Sequence, residues 1–123
     1  MFEVMVQKHF SSAHNLRGYK GECEALHGHN WSVEVVVRAE KLNDIGIALD
    51  FKDIKEALSG LMGKLDHKYL NEISPFDEIN PTTENIAKYF FDALSKTLND
   101  DRLRIYRVNV WETPGSCGSY FVD

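Results

Sequence analysis

Apolar and polar residues alternate over residues 2 to 14, where Phe2, Val4, Val6 and Phe10 share one parity of positions. A period of two is typical of a strand with one buried face. Residues 27 to 38 repeat the pattern, with a tryptophan and three valines in phase. The intervening residues 15 to 26 contain two glycines and mixed charges, which favours a loop between two antiparallel strands.

The period becomes helical after Asp50, which can cap a helix because its carboxylate accepts hydrogen bonds from free backbone N–H groups. The apolar residues of this predicted helix are Phe51, Ile54, Leu58, Leu61, Met62 and Leu65. A turn-rich connector at 74 to 81 precedes a second predicted helix, which Thr82 or Thr83 can cap. Its predicted inner stripe is Ile86, Phe90, Ala93, Leu94 and Thr97.

Alternation returns after residue 102, where Tyr106, Val108 and Val110 predict a third strand, and residues 118 to 120 lead a short fourth. The element order is therefore ββααββ. Segregated strands and helices predict an α+β fold, a four-stranded antiparallel sheet with two helices packed on one face. The 123 residues are expected to form a single domain, 1–123.

Composition narrows the functional classes. Apolar residues make up 43% of the chain and charged residues 27%, as in an ordinary soluble globule. No apolar run approaches the roughly 18 residues of a membrane helix, and the N-terminus has no signal-peptide pattern, so a cytoplasmic protein is expected. A net charge of −5 argues against nucleic-acid binding. Two cysteines are too few for a disulfide scaffold.

Three histidines occur in phase with the buried faces of the first two strands. His27 and His29 have the parity of Trp31, and His14 has that of Phe10. A lone inward histidine is usually a core residue, but three near the adjoining ends of paired strands suit a metal. Zinc bound by three imidazoles keeps a fourth position open, which is the catalytic pattern, although iron and nickel also accept imidazole.

Cys23 stands four residues before His27, and two interpretations remain open. It could complete a four-ligand structural zinc site. Alternatively, the thiol stays free, and a nearby cation lowers its pKa so that the thiolate acts as a base or nucleophile.

Two further places in the chain carry candidate chemistry. The segment 65 to 71 is expected to end the first helix, where Asp66 and His67 could cap its carbonyls or form a carboxylate–imidazole acid–base pair. Glu112 has the parity of Val108 and Val110, so its carboxylate faces inward at a strand end. An inward carboxylate needs a partner, and it suits a donor–donor edge such as that of an amino-pyrimidinone.

Six segments in this order resemble the family of 6-pyruvoyl-tetrahydropterin and 6-carboxy-tetrahydropterin synthases. They are FSSAH (10 to 14), CEALHGHNW (23 to 31), GIALDF (46 to 51), LDHKYLN (65 to 71), PTTENIA (81 to 87) and WETPGSCGSY (111 to 120). The resemblance implies the tunnelling fold, in which sheets join side by side into a barrel, commonly a trimer stacked into a homohexamer. It also implies active sites at subunit interfaces.

The resemblance assigns roles residue by residue. It implies zinc ligands at His14, His27 and His29, and a proton-moving thiol at Cys23. Asp66 and His67 resemble the family's acid–base pair, and Glu112 resembles the acid that anchors the pterin ring. Thr82 and Thr83 match a segment that lines the pterin pocket.

The short C-x-x-x-H-G-H spacing resembles the bacterial 6-carboxy-tetrahydropterin synthases of queuosine biosynthesis. The expected function is therefore a zinc-dependent lyase that converts 7,8-dihydroneopterin triphosphate to 6-carboxy-5,6,7,8-tetrahydropterin, acetaldehyde and triphosphate. Formation of 6-pyruvoyl-tetrahydropterin, or side-chain cleavage to a 6-hydroxymethyl pterin for folate, are the alternatives within the family. From other classes, a zinc-stabilised pterin-binding module and a zinc hydrolase remain. Lys8, Arg17 and Lys20 are the cations hypothesised to bind triphosphate, and Cys117 is assigned only a structural role.

Overall fold

The computed structural model describes residues 1–22 and 24–122. Its elements confirm the predicted order ββααββ. They are β1 (Phe2–His14), β2 (His27–Ala39), α1 (Phe51–Met62), α2 (Thr83–Leu98), β3 (Leu103–Thr113) and β4 (Ser116–Phe121). A short 3-10 turn, Leu70–Glu72, lies between the helices.

The four strands form one antiparallel sheet in the order β1-β2-β3-β4. The register of β1 and β2 runs unbroken from the pair Phe2–Ala39 to the pair His14–His27. Because β1 ends where β2 begins, all three candidate histidines lie at the same end of the sheet.

Both helices cover one face of this sheet, as predicted. Their capping side chains are Asp50, which accepts from Lys52 N at 2.9 Å, and Thr82, which accepts from Asn85 N at 3.1 Å. The buried side chains between the layers come from the inward parity of the strands and one stripe of each helix. They include Trp31, Val33, Val35, Val37, Ile54, Leu58, Ile86, Phe90, Leu94, Val108 and Val110.

The structure corrects two expectations about the helices, the end of α1 and the buried face of α2. Helix α1 ends at Met62, so Leu65 is buried outside the helix, and Asp66 and His67 lie in the turn that follows. Thr97 is exposed, and its hydroxyl donates to Ala93 O; Phe91 is buried on α2 in its place, because the inner stripe extends toward β4. Among the described residues, no helix has the length and apolar character to span a membrane.

Candidate metal centre

Three imidazoles and one carboxylate meet at the end of the sheet where β1 stops and β2 starts. His14, His27, His29 and Glu112 each offer one ligand atom, and these atoms lie within 4.8 Å of one another. The Nε2 atoms of His14 and His27 are 3.1 Å apart. Oε1 of Glu112 lies 3.2 Å from His14 Nε2 and 2.7 Å from His29 Nε2. The phase of the strands thus brings the predicted histidines together.

Backbone carbonyls fix the protonation of two of these rings. Nδ1 of His14 lies 2.8 Å from Pro81 O, and Nδ1 of His27 lies 2.8 Å from Ala25 O. A carbonyl only accepts, so each Nδ1 carries a hydrogen, and in the neutral form of either ring the lone pair is on Nε2. Two such lone pairs facing each other at 3.1 Å repel unless a cation lies between them. Carbonyl-anchored imidazoles are the usual arrangement of metal ligands.

His29 supplies a buried nitrogen beside Glu112. Its Nε2 lies 2.7 Å from Glu112 Oε1 and makes no other hydrogen bond in the described structure. Burial lowers the pKa of His29, and the Glu112 charge opposes that shift only in part. A neutral imidazole is the ligand form. The three histidines and Glu112 are therefore positioned to bind a metal ion, and the donor set fits zinc.

Trp31 closes the buried side of this cluster. Its ring is fully buried and meets the rings of His14 and His29 edge to face, with centroids 4.8 and 5.3 Å apart. Its Nε1 donates to Ser12 O at 3.1 Å. The side bordered by Glu112 and His27 is open to a ligand, since both side chains are about one third exposed.

Asp66 and His67 pair with each other, but the structure does not bring them to the imidazole cluster. Oδ1 of Asp66 lies 2.9 Å from His67 Nδ1 and accepts from Ser11 N at 2.9 Å. His67 N donates to Ser11 O at 2.6 Å. The Ser11 N–H is the main cause of a lowered pKa at Asp66, and His67 adds to it. The His67 side chain is 81% exposed at the free edge of β1.

The other candidate residues occupy different settings. Thr82 caps α2, and Thr83 donates to Glu84 Oε1 at 2.6 Å. They follow Pro81 by one and two residues, and the Pro81 carbonyl holds His14. Cys23 lies outside the described residues, and Cys117 is exposed on β4.

The hypothesised phosphate-binding cations are dispersed. The Arg17 guanidinium donates to Phe76 O and Ile79 O, both at 2.8 Å, so it braces the 74–80 turn. Lys8 lies six residues before His14, about 20 Å along β1. Lys20 is exposed in the loop before β2 and stays a proposed phosphate contact.

Sequence reasoning missed the residues that hold this site. The carbonyls of Ala25 and Pro81, which orient the imidazoles, are backbone groups and leave no signal in the residue type. The side chains of Asn15 and Tyr69, which hydrogen bond next to the cluster, stand beside His14 and two residues after His67. Adjacency to both motifs is the one signal that could have singled them out.

Comparisons with known proteins agree with this geometry. The family described as 6-pyruvoyl tetrahydropterin synthase matches residues 3–122. A dihydroneopterin monophosphate aldolase of Pyrococcus furiosus is 37% identical over 109 residues, which cover 89% of this chain and 88% of the relative. A 6-carboxy-5,6,7,8-tetrahydropterin synthase of Bacillus subtilis is 32% identical over 122 residues, covering 94% and 82%. The structure of Caenorhabditis elegans 6-pyruvoyl tetrahydropterin synthase superposes with a TM-score of 0.85 at 25% identity, covering 99% of this chain and 96% of that one.

Proposed function

Because this chain belongs to the 6-pyruvoyl tetrahydropterin synthase family, we propose that it is a zinc-dependent lyase acting on 7,8-dihydroneopterin triphosphate. The products are 6-carboxy-5,6,7,8-tetrahydropterin, acetaldehyde and triphosphate, with one water consumed. The observation that carries the proposal is the cluster of three imidazoles and Glu112. Relatives named 6-carboxy-5,6,7,8-tetrahydropterin synthase support this product, as does the short spacing from Cys23 to His27.

His14, His27 and His29 would hold the zinc through their Nε2 atoms. When bound, the metal supplies Lewis-acid polarisation of the substrate's side-chain oxygens. The carbonyls of Pro81 and Ala25 keep Nδ1 protonated on His14 and His27, so their Nε2 lone pairs remain available. Trp31 excludes water from the buried side of the cluster.

His67 and Cys23 are the proposed proton carriers at the carbons of the substrate side chain. Asp66 accepts from Nδ1 of His67, which fixes that tautomer and leaves His67 Nε2 free to take or give a proton. Asp66 also stabilises the imidazolium that forms. Cys23 is assigned by its place in the motif alone, since it lies outside the described residues.

Glu112 is the proposed anchor of the pterin ring, with Thr82 and Thr83 lining the pocket beside it. Its side chain is 31% exposed at the end of β3, so it borders the open side of the cluster. Glu112→Gln separates this role from metal binding. A pterin anchor predicts a raised KM with zinc retained, whereas loss of zinc would make Glu112 a fourth ligand.

The exposed position of Asp66 and His67 supports assembly. The pair lies at the free edge of β1 and is separated from the imidazole cluster within one chain. We propose that a homo-oligomer, a trimer or a stacked hexamer, places this pair beside the cluster of a neighbouring subunit. The complete active site would then lie at a subunit interface.

Product analysis by mass spectrometry tests the function. Zinc-loaded protein is incubated with 7,8-dihydroneopterin triphosphate and no reductant. Appearance of 6-carboxy-tetrahydropterin with acetaldehyde is the expected result. Unchanged substrate, with metal bound and the protein folded, would instead favour a non-catalytic pterin-binding module.

A second candidate function is aldol cleavage of the dihydroneopterin side chain. It is favoured by the 37% identity to the Pyrococcus furiosus dihydroneopterin monophosphate aldolase. The same incubation, repeated with the monophosphate, distinguishes the two. A 6-hydroxymethyl pterin with release of a two-carbon aldehyde phosphate would assign the aldolase.

Metal analysis distinguishes the enzyme from a structural zinc module. His14→Gln is expected to lower zinc affinity at least about 100-fold, because it removes a ligand atom. His9→Gln is the matched control, since His9 is an exposed histidine on the same strand. Cys23→Ala should keep zinc and lose turnover; if it loses zinc and unfolds, Cys23 is a structural ligand.

A further inference from the structure

The backbone just after His14 is bound by one asparagine side chain from a distant segment. Oδ1 of Asn80 accepts from the Arg17 backbone N–H at 2.8 Å, and Nδ2 of Asn80 donates to Arg17 O at 2.9 Å. The amide thus pairs with the N–H and the C=O of Arg17, as a neighbouring strand would. The Arg17 guanidinium adds two bonds to the connector before Asn80, to the carbonyls of Phe76 and Ile79.

The same connector ends at the carbonyl that holds the His14 ring. Pro81 directly follows Asn80, and its oxygen lies 2.8 Å from Nδ1 of His14. Arg17 lies only three residues after His14. The bonds of Asn80 to Arg17 and the bond of Pro81 to His14 therefore close a small ring, and a displacement of Asn80 also displaces the carbonyl that His14 uses.

The start of α2 fixes the backbone of Asn80. Its carbonyl accepts from Thr82 N and from Asn85 Nδ2, both at 2.9 Å. Proline has no N–H and a fixed φ, so the orientation of the Pro81 peptide depends on its neighbours. Asn80 thus links the start of α2 to the chain that follows His14.

Two acceptors near His14 Nε2 favour the tautomer that a metal cannot use. His27 Nε2 lies 3.1 Å away, and Glu112 Oε1 lies 3.2 Å away. In the metal-free protein either could accept a hydrogen from Nε2, which would leave the lone pair of the neutral ring on Nδ1. The Pro81 carbonyl opposes this tautomer, because it accepts from Nδ1. Its position therefore decides whether the Nε2 lone pair is available to a metal.

We propose that Asn80 is a positioning residue for His14, and that it acts through the Pro81 carbonyl. This inference rests on the proposed function, in which His14 holds the zinc, and every contact in it lies within one chain. An amide suits the position because it offers an acceptor and a donor side by side. An aspartate has no donor for Arg17 O.

Asn80→Ala removes both bonds to the Arg17 backbone. We expect the zinc affinity, measured by competition with a chelator, to fall about 10-fold, as it does when the outer partner of a metal ligand is lost. Asn109→Ala is the matched control and should stay within about two-fold of the unmodified protein. Asn109 is likewise half-buried and makes two side-chain hydrogen bonds, but on the sheet face that the helices leave uncovered.

Asn85→Ala is a second variant that leaves Asn80 in place. It removes the bond from Asn85 Nδ2 to Asn80 O, and α2 keeps its stability because alanine is the better helix former. Its zinc affinity should fall below that of Asn109→Ala. If Asn80→Ala does not fold, this variant decides the proposal, and a zinc affinity equal to that of Asn109→Ala overturns it.

The tautomer of His14 in the metal-free protein is a readout that needs neither zinc nor substrate. Proton–nitrogen NMR correlation of labelled histidine distinguishes Nδ1–H from Nε2–H at about pH 8.5, where imidazoles are neutral. The unmodified protein and Asn109→Ala should carry the hydrogen on Nδ1 of His14. Asn80→Ala should carry it on Nε2 in a measurable fraction of molecules.

Equal zinc affinity in Asn80→Ala and Asn109→Ala overturns the proposal. Weaker zinc binding with an unchanged His14 tautomer also overturns it, because a general loosening of the structure would then be the cause. If the unmodified protein binds no zinc, the proposed function fails, and the tautomer comparison alone decides the role of Asn80.

Discussion

His67 has a backbone conformation that non-glycine residues rarely adopt, with φ at +56°. Its N–H donates to Ser11 O, and its ring pairs with Asp66, whose carboxylate accepts from Ser11 N. The backbone N–H and C=O of Ser11 thus hold both residues at the edge of β1, and this pair of hydrogen bonds is called the Ser11 clamp below. Strained backbone that neighbouring hydrogen bonds hold in place is common at functional sites. This observation supports the acid–base role over helix capping, since both residues lie beyond the end of α1.

Asp66→Asn tests the Ser11 clamp through the pH dependence of Tm. The Ser11 N–H, followed by His67, lowers the pKa of Asp66 below its usual value of 3.8. A lowered folded-state pKa stabilises the fold at pH values above the unfolded pKa, and this contribution is lost as pH falls through the folded pKa. The variant should therefore have a lower Tm than the unmodified protein at pH 7, and the difference should shrink below pH 3.8. We also expect kcat to fall about 100-fold at neutral pH, since the imidazole loses its carboxylate.

The control for this experiment is Asp44→Asn, in an exposed turn before α1. Calorimetry of the three proteins from pH 3 to 7 supplies the comparison. A difference in Tm between Asp66→Asn and the unmodified protein that stays constant over this range would contradict the electrostatic argument.

At the scale of elements, β4 approaches the start of α2 so closely that only glycine fits at position 118. A Cβ at Gly118 would lie 2.8 Å from Thr83 Cβ and 3.1 Å from Glu84 N. Neither is the end of a flexible side chain, so strand and helix must separate. Gly118→Ala should lower the free energy of unfolding by about 1–3 kcal/mol, as overpacking does. Urea denaturation measures this change.

Gly60→Ala is the opposite case on the exposed side of α1. A Cβ at Gly60 meets nothing within 4 Å, and the residue lies inside the helix. The substitution should raise the free energy of unfolding by about 0.5–1 kcal/mol, because alanine loses less backbone entropy in a helix than glycine does. If both substitutions changed stability in the same direction, local space at Gly118 would not be the cause.

The elements also show which parts of the fold and the site the residue pattern predicts. The period of two placed β1 and β2 in phase, and with it the three histidines, because alternation along a strand fixes the facing of each side chain. The helical spacing extends the predicted α1 to Leu65, whereas the helix ends at Met62, because a buried residue just after a helix has the same spacing as one inside it. The proximity of Glu112 to the imidazoles depends on the pairing of β2 with β3, which parity alone does not specify. The hydrogen bonds between Asn80 and Arg17 are likewise contacts between segments distant in sequence.

At the scale of the whole molecule, most of the outer edge of β1 has no partner within residues 1–22 and 24–122. The segment that contains Asp66 and Tyr69 covers this edge only at Ser11 and Ala13, through the bonds to Ser11 N and O and the bond from Ala13 N to Lys68 O. Since β1 pairs with β2 without a bulge, the N–H groups of Met5, Gln7 and His9 point to the same open side as those of Ser11 and Ala13. An open edge of this length favours pairing with another chain.

Met5→Pro tests whether that edge joins subunits. Proline removes the outward N–H of Met5, and an edge strand tolerates it when that N–H bonds to nothing within the chain. Met5→Thr is the matched control, because it removes the same exposed side chain and keeps the N–H. Light scattering after size exclusion should give a multiple of 14.1 kDa for the unmodified protein and Met5→Thr, and a folded species of 14.1 kDa for Met5→Pro. Because the proposed site draws on two subunits, the Met5→Pro monomer should bind zinc without turnover. A monomer that keeps full turnover would show that one chain suffices, and an undisturbed assembly would exclude this edge as the contact.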